Sequence, residues 1–214
     1  MIRVACYIDG FNFYHVLDDM SRASRGAQNY LKWVNLKSLM EVFTDRAVHQ
    51  IVVIKYFSVY ATWKPGPYSR HLLYVKALKH YGIEIVLGRF KEKDIYCRNC
   101  HTTFKGHEEK ESDVNLAIHL IGDAYEDRFD HAFIVTRDSD LAGPLRAMKS
   151  TFPKKRLKII APPKRSHSKE LWALANTRAD IKEDHLKACL LPAEIQSAQG
   201  TTICTRPVEY SPPA

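Results

Sequence analysis

Carboxylates placed just after apolar runs are the residues whose types and spacing could do chemistry. Asp138 and Asp140 stand two apart in Thr136-Arg137-Asp138-Ser139-Asp140, directly after the apolar run His131-Ala132-Phe133-Ile134-Val135. That run reads as a buried strand. On an extended backbone the two side chains point the same way. Like charges that close repel, so the pair needs a cation or a shared proton. The same residues also suit a helix N-cap ahead of Leu141-Ala142-Gly143-Pro144-Leu145, because short polar side chains satisfy free backbone N–H groups. This window alone leaves both readings open. Asp9 closes a second apolar run, with Gly10 free to turn sharply and Asn12 three positions further on. Asp9 also suits a turn, and Asn12 an N-cap. Asp113 follows Ser112 at the start of a helical pattern, where an acid favours the helix dipole.

The elements that must position these groups alternate along the chain. Strands are expected at residues 3–8, 50–60, 83–87, 131–135 and 157–161, and helices at 12–20, 36–42, 68–80, 114–125, 141–149 and 167–176. Residues 61–67, with Pro65-Gly66-Pro67, read as a structure break. Residues 89–110 are polar and carry two cysteines, which marks an insert between a strand and a helix. Beyond about residue 190 the chain reads as a loosely packed tail. The expectation is one domain over 1–190 and a tail over 191–214. Alternation of this kind gives an α/β three-layer sandwich: a central, mostly parallel sheet with helices on both faces. Such sheets hold ligands at the C-terminal ends of their strands. Asp9, Asp113, Asp138 and Asp140 come from three distant segments and can meet there. An all-carboxylate cluster selects Mg²⁺ or Mn²⁺ over zinc. Asn12 can orient a water or a phosphate. No Gly-x-Gly-x-x-Gly follows the first strand and no Gly-x-x-x-x-Gly-Lys occurs, which removes the main support for dinucleotide and P-loop sites.

Composition narrows the class. The 214 residues are 45% hydrophobic and 26% charged, with a formal net charge of +8. No run of eighteen apolar residues is present, so no membrane span is expected. Met1 to Asp9 lacks the form of a signal peptide. Five unevenly spaced cysteines then fit a reducing cytoplasm without disulfides. Lys154, Lys155 and Arg156, then Lys164 and Arg165, follow the acidic pair. Together they read as a basic rim for a phosphodiester backbone, and each run alone as a solvated loop. Cys97-x-x-Cys100 supplies half of a zinc site, with His107 the better third ligand and His101 turned away; free cysteines in a polar insert are the alternative. Haem attachment at Cys-x-x-Cys-His is set aside because no export signal precedes it.

Tyr7-Ile8-Asp9-Gly10-Phe11-Asn12, Glu108-Glu109-Lys110-Glu111-Ser112-Asp113-Val114-Asn115, Asp123-Ala124-Tyr125-Glu126-Asp127, Thr136-Arg137-Asp138-Ser139-Asp140-Leu141 and Pro162-Pro163-Lys164-Arg165-Ser166 together resemble the NYN domain family. The likeness is to its LabA-like (DUF88) branch within the PIN-like nuclease superfamily, and it extends into the tail at Arg206-Pro207. The resemblance implies a PIN-like (Rossmannoid) fold and metal-dependent endoribonuclease chemistry leaving 5′-phosphate and 3′-hydroxyl ends. It implies Asp9, Asp113 and Asp138 as metal-binding acids, Asp140 as a supporting acid and Asn12 as the motif amide. Arg137 departs from the pattern, where relatives often carry a small residue, and is a candidate either to contact substrate phosphate or to narrow the site.

The leading expectation is therefore a cytoplasmic Mg²⁺- or Mn²⁺-dependent ribonuclease acting on single-stranded or structured RNA. An exposed aromatic near Trp63 would stack unpaired bases. A non-catalytic RNA-binding or regulatory module on the same fold is the alternative. A phosphohydrolase of small substrates shares the acids but has no use for a basic rim. A nucleophilic-aspartate phosphatase is disfavoured, because no second acid stands two positions after Asp9. A homodimer and a controlling protein or antitoxin are left open as partners.

Overall fold

The computed structural model describes residues 1–164 and 168–213. In chain order its elements are β1 (Ile2–Asp9), α1 (Gly10–Ala23), α2 (Leu36–Glu41), β2 (His49–Ser58), α3 (Pro65–His80), β3 (Glu84–Leu87), β4 (Arg89–Tyr96), β5 (Thr103–Lys110), α4 (Ser112–Tyr125), β6 (His131–Val135), α5 (Ala142–Thr151), β7 (Arg156–Ala161), α6 (Lys169–Leu174), β8 (Thr177–Asp180), α7 (Glu183–Ala188), β9 (Glu194–Gln196) and β10 (Thr202–Thr205). The central sheet runs β3-β2-β1-β6-β7-β8, with every neighbouring pair parallel. Strand order reverses at β1, whose neighbours are β2 and β6. That reversal opens a crevice outside the carboxyl ends of β1 and β6.

Strand β1 is buried from Val4 to Asp9 because both faces of the sheet are covered. Its side chains alternate between two apolar layers. Val4, Cys6 and Ile8 join α1, α2, α3 and the C-terminal segment on one face. Ala5 and Tyr7 join α4, α5 and α6 on the other. This is the expected α/β sandwich. No helix among the described residues is long and apolar enough to cross a membrane.

Four features differ from the expectation. Residues 65–67 are no break: Pro65 opens α3, where its missing N–H costs nothing and its φ is already helical. The insert is a two-stranded antiparallel hairpin, β4–β5, standing outside the main sheet. A sixth parallel strand, β8, pairs with β7 at the sheet edge; Thr177-Arg178-Ala179-Asp180 lacks the apolar run that marks a buried strand. The C-terminal stretch is packed rather than loose. Ile195, Cys204 and Tyr210 are buried in the first apolar layer, and Trp33 Nε1 donates to the Pro192 carbonyl at 3.0 Å.

One ion pair crosses from sheet to helix in the second layer. Lys55, on β2, is 2% exposed. Its Nζ lies 2.6 Å from Asp123 Oδ2, on α4. The Tyr7 hydroxyl donates to the same oxygen at 2.8 Å, and Arg128 donates to Oδ1 at 3.1 Å. Burial alone would raise the Asp123 carboxyl, but the bonds from Lys55 and Tyr7 outweigh it and hold the group below its ordinary value. Removing Asp123 leaves Lys55 buried with only the half-exposed Glu84 carboxylate, 3.8 Å away, as counter-charge. Asp123→Leu is expected to lower the unfolding free energy by about 3–5 kcal/mol. Adding Lys55→Met should recover most of the loss, and urea denaturation of the two variants measures it.

Candidate active site at the strand switch point

Asp9 stands at the carboxyl end of β1 and is 3% exposed. Its position follows from Gly10. A side chain at Gly10 would fall on the Tyr56 ring and stand 2.6 Å from the Phe57 carbonyl oxygen. Only glycine lets α1 leave β1 pressed against β2. The turn brings the Asn12 N–H to Asp9 Oδ1 at 2.9 Å, so Asp9 caps α1. Its other oxygen accepts a hydrogen bond from the Thr136 hydroxyl at 2.9 Å. Thr136 Oγ1 in turn accepts the Asp138 N–H at 3.1 Å. One buried threonine therefore registers the end of β1 against the loop after β6.

Asp138 both caps and faces the crevice. Its Oδ1 accepts the Asp140 N–H at 2.9 Å and starts a 3₁₀ turn ahead of α5. Asp113 enters from the first turn of α4. The residue before that helix, Glu111, has φ +82°, in the left-handed region that side chains disfavour. Glu109 Oε1 accepts the Ser112 N–H at 2.9 Å and closes the same turn.

Asp9, Asp113 and Asp138 line a cavity of about 190 Å³ together with Asn12, Glu109 and Ser112. Burial pushes the Asp9 carboxyl up to about 7; the bonds from Asn12 and Thr136 oppose the rise, while the Asp113 and Asp138 charges add to it. Burial, then the charges of Asp138, Glu109 and Asp140, push Asp113 up to about 6. Two buried oxygens at this cavity, Asn12 Oδ1 and Ser112 Oγ, lack a hydrogen-bond partner. Crowded carboxylates with raised pKa and orphaned oxygens form a donor set for a hard cation. Among the described residues no three acidic, histidine or cysteine side chains close into a ready cage. The set suits an ion that takes few protein oxygens and keeps its waters, as Mg²⁺ does.

A second cavity, of about 460 Å³, shares Phe11 and His15 with the acidic one. Trp63 and His107 stack in its wall, with centroids 3.5 Å apart and planes at 10°. Phe90 meets Trp63 edge-on at 4.5 Å and Phe11 at 6.0 Å. Lys64 and Arg70 also line it. The cavity thus joins aromatic faces to cationic groups.

The structure brings together Asp9, Asn12, Asp113 and Asp138 and redistributes the other sequence candidates. Asp140 is exposed beside the cavity and acts on it through its charge and its N–H to Asp138. Arg137 is exposed next to Asp138. The basic rim over Lys154, Lys155 and Arg156 is corrected. Arg156 opens β7 in register with His131 and Val4. These residues therefore sit at the opposite edge of the sheet, roughly 17 Å of strand from Asp9. Lys155 is committed to the Asp127 carboxylate at 2.7 Å and the Phe129 carbonyl at 2.6 Å. Lys164 follows β7 on the acidic side but pairs with Glu183 at 3.3 Å. Arg165 lies outside the described residues. The Cys97, Cys100 and His107 ligand set is also corrected. His107 pairs with Glu92, four ladder steps below the Tyr96–Thr103 pair that closes the hairpin, or roughly 14 Å from the cysteine turn. Its ring is held by Trp63. Thr136, Glu109, Ser112, His15 and Phe11 were missed. Glu109, Ser112 and Thr136 adjoin candidate acids in the motifs, but their roles depend on hydrogen bonds that spacing does not encode.

The raised Asp9 pKa has a stability consequence in chelator, without divalent ions. Between about pH 4 and pH 7 the folded chain binds a proton that the unfolded chain releases, so stability falls as pH rises through that window and levels above it. Asp9→Asn removes the ionisation. It is expected to exceed the parent by roughly 1–3 kcal/mol at pH 8 and to lose that advantage at pH 4, as thermal unfolding at the two pH values measures.

Comparison with known proteins agrees with the fold. The chain is 29% identical to 6-hydroxy-3-succinoylpyridine 3-monooxygenase HspA of Pseudomonas putida, over 94% of this chain and 73% of that protein. In fold it is similar to the crystal structure of VPA0982, a protein of unknown function from Vibrio parahaemolyticus, with a TM-score of 0.58, 19% identity, and coverage of 89% of this chain and 96% of that one. The NYN domain family matches residues 3–181, which hold β1 to β8 and every acid of the cavity. The chain belongs to the NYN domain family.

Proposed function

We propose that this protein is a metal-dependent endoribonuclease that cuts unpaired RNA. The observation that carries the reading is the meeting of Asp9, Asp113 and Asp138 in one cavity at the switch point, beside an aromatic and cationic cavity. NYN domains are generally nucleases, which supports a hydrolase. A divalent cation supplies a Lewis acid for the phosphoryl oxygen and a water nucleophile at neutral pH. Asp9, Asp113 and Asp138 would hold it, with Thr136 fixing the angle of Asp9. Asn12 and Ser112 offer unpaired oxygens to the ion's waters or to the ribose. Phe11 and the Trp63 face away from His107 would meet bases, while Lys64 would face the backbone beside Arg70, which also pairs with Glu209. Cations thus act here from α3 and the loop before it, not from the run at Lys154.

Asp138→Asn separates catalysis from binding. Mn²⁺-dependent cleavage of a single-stranded oligoribonucleotide is expected to fall at least ~100-fold, with affinity for that RNA retained. Undiminished cleavage would place the chemistry elsewhere. Binding without Mn²⁺-dependent products from any RNA would favour the non-catalytic module. Trp63→Ala is expected to weaken binding of the same RNA by roughly 10-fold, the worth of one stacked base, as fluorescence anisotropy reports.

A second reading has its own observation. The relative named for a pyridine substrate is similar over 94% of this chain, and the aromatic cavity has room for a small ring bearing an acid. Hydroxylation of such a ring needs dioxygen and a two-electron donor. This reading expects oxygen uptake with 6-hydroxy-3-succinoylpyridine and a donor, and no product from RNA.

A further inference from the structure

Helix α1 leaves the acidic cavity and carries the aromatic one along its length. Phe11 and His15 line both. Phe11, Tyr14, Asp18 and Arg22 stand at i, i+3, i+7 and i+11, which is one face of a helix, and all four line the larger cavity. That cavity is therefore a groove. It begins beside the acids and follows α1 for about three turns, or about 16 Å, from Phe11 to Arg22. Helix α3 lines it too, through Arg70 and Tyr74.

The groove is positively charged along its length. Its lining holds Arg22, Lys32, Lys64 and Arg70 against one carboxylate among the described residues, Asp18. Arg22 Nη2 lies 2.6 Å from one Asp18 oxygen and Lys32 Nζ 2.7 Å from the other. One carboxylate between two cations leaves a positive charge at the far end. Arg70 Nη1 donates to Glu209 at 2.8 Å, while its Nε is buried without a hydrogen-bond partner. Between the two ends stands Tyr14, whose ring is partly exposed and lies 5.2 Å from Lys32 Nζ. Rings interleaved with cations suit an unpaired nucleic-acid strand, since rings take bases and cations take phosphates. A paired base has no free face to offer Tyr14 or Phe11.

We propose, resting on the nuclease reading of the acidic cavity, that the groove along α1 holds the unpaired RNA strand on one side of the bond to be cut. Bases lie against Phe11 and Tyr14, and phosphates meet Arg22, Lys32 and Arg70. The substrate class is then a strand of several nucleotides, not a mononucleotide or a small phosphodiester. At about 3.4 Å of rise per stacked nucleotide, the groove takes at most about five.

The test measures binding of a fluorescent oligouridylate longer than the groove to the full-length protein, in chelator so that no metal-dependent cutting intervenes, over a range of salt concentrations. Arg22→Ala removes a side chain that is 77% exposed. It is expected to weaken binding and to reduce the slope of log K against log salt by about 0.7, the worth of one phosphate contact on a single strand. Lys154→Ala removes the same charge at the opposite edge of the sheet and is expected to keep the parent slope. Uridine monophosphate is expected to compete at least ~100-fold more weakly than the oligonucleotide, because it meets one ring instead of several. Equal losses in the two variants would reduce the binding to net charge and overturn the proposal. Monophosphate binding as tight as the oligonucleotide would overturn it as well. Mn²⁺-dependent cleavage by the same proteins separates the groove from the nuclease reading. Cleavage by the parent, with Arg22→Ala at the parent slope, keeps the nuclease and overturns the groove. The expected binding pattern without any Mn²⁺-dependent product keeps the groove and overturns the nuclease. No binding of the oligonucleotide overturns both.

Discussion

One hydrogen bond, from the Thr136 hydroxyl to the Asp9 carboxylate, joins the two strands on which the site depends. Parallel strands share no turn, so nothing local fixes the end of β1 against the end of β6. The ladder between them brings Ile8 opposite Val135. One step further, Thr136 faces Asp9 and then orients Asp138 through its backbone. A carboxylate as buried as Asp9 is costly unless it is hydrogen-bonded, protonated or close to a cation. Two donors meet part of that cost, and burial still pushes the carboxyl up to about 7.

The same constraint explains the elements around it. Gly10 lets α1 start where Asp9 can cap its first turn. The left-handed backbone at Glu111 turns the chain from β5 into α4, so that Asp113 arrives from the other side. Strain at a single residue costs of order 1–3 kcal/mol, and here it sits directly beside the cavity. Away from the crevice, the Lys55–Asp123 pair holds α4 to β2 with Tyr7 between them. The helix that carries Asp113 is thereby anchored near its far end by a buried charge network. Placement and support come from opposite ends of one helix.

The hairpin β4–β5 adds what a bare α/β sandwich lacks. Phe90 and His107 complete the aromatic cavity from outside the sheet, and Trp63 reaches them from the loop before α3. Phe11 lines both the aromatic and the acidic cavity and stands between them. The C-terminal segment completes the wall with Tyr210, whose neighbour Glu209 holds Arg70 at 2.8 Å. The segment after residue 181, beyond the reach of the family match, therefore contributes one wall residue, Tyr210, to a cavity otherwise lined by the domain.

Much of this was legible along the chain. Apolar runs ending in acids marked the strands and the edge where the acids gather, because burial on both faces demands continuous Val, Ile and Leu and because ligands sit where such strands stop. Asp9 and Asp138 were readable at that edge for that reason, and Asp113 because it opens a helix that follows a strand. Strand β8 was not, since an edge strand needs little apolar composition. Nor was the packing of residues 191–213, whose few apolar side chains act through long-range contacts. Lys154 to Arg156 looked like a substrate rim because they follow Asp138 closely in sequence, yet a helix and a turn carry the chain back to the opposite edge. His107 looked like a partner for Cys97 and Cys100 on spacing, yet four steps of antiparallel ladder separate them. Sequence determined which residues are acids, thiols and strand formers, because those are properties of composition and local period. Tertiary structure alone decided which of them share a cavity, because strand order and register set distance, and neither is written in local sequence.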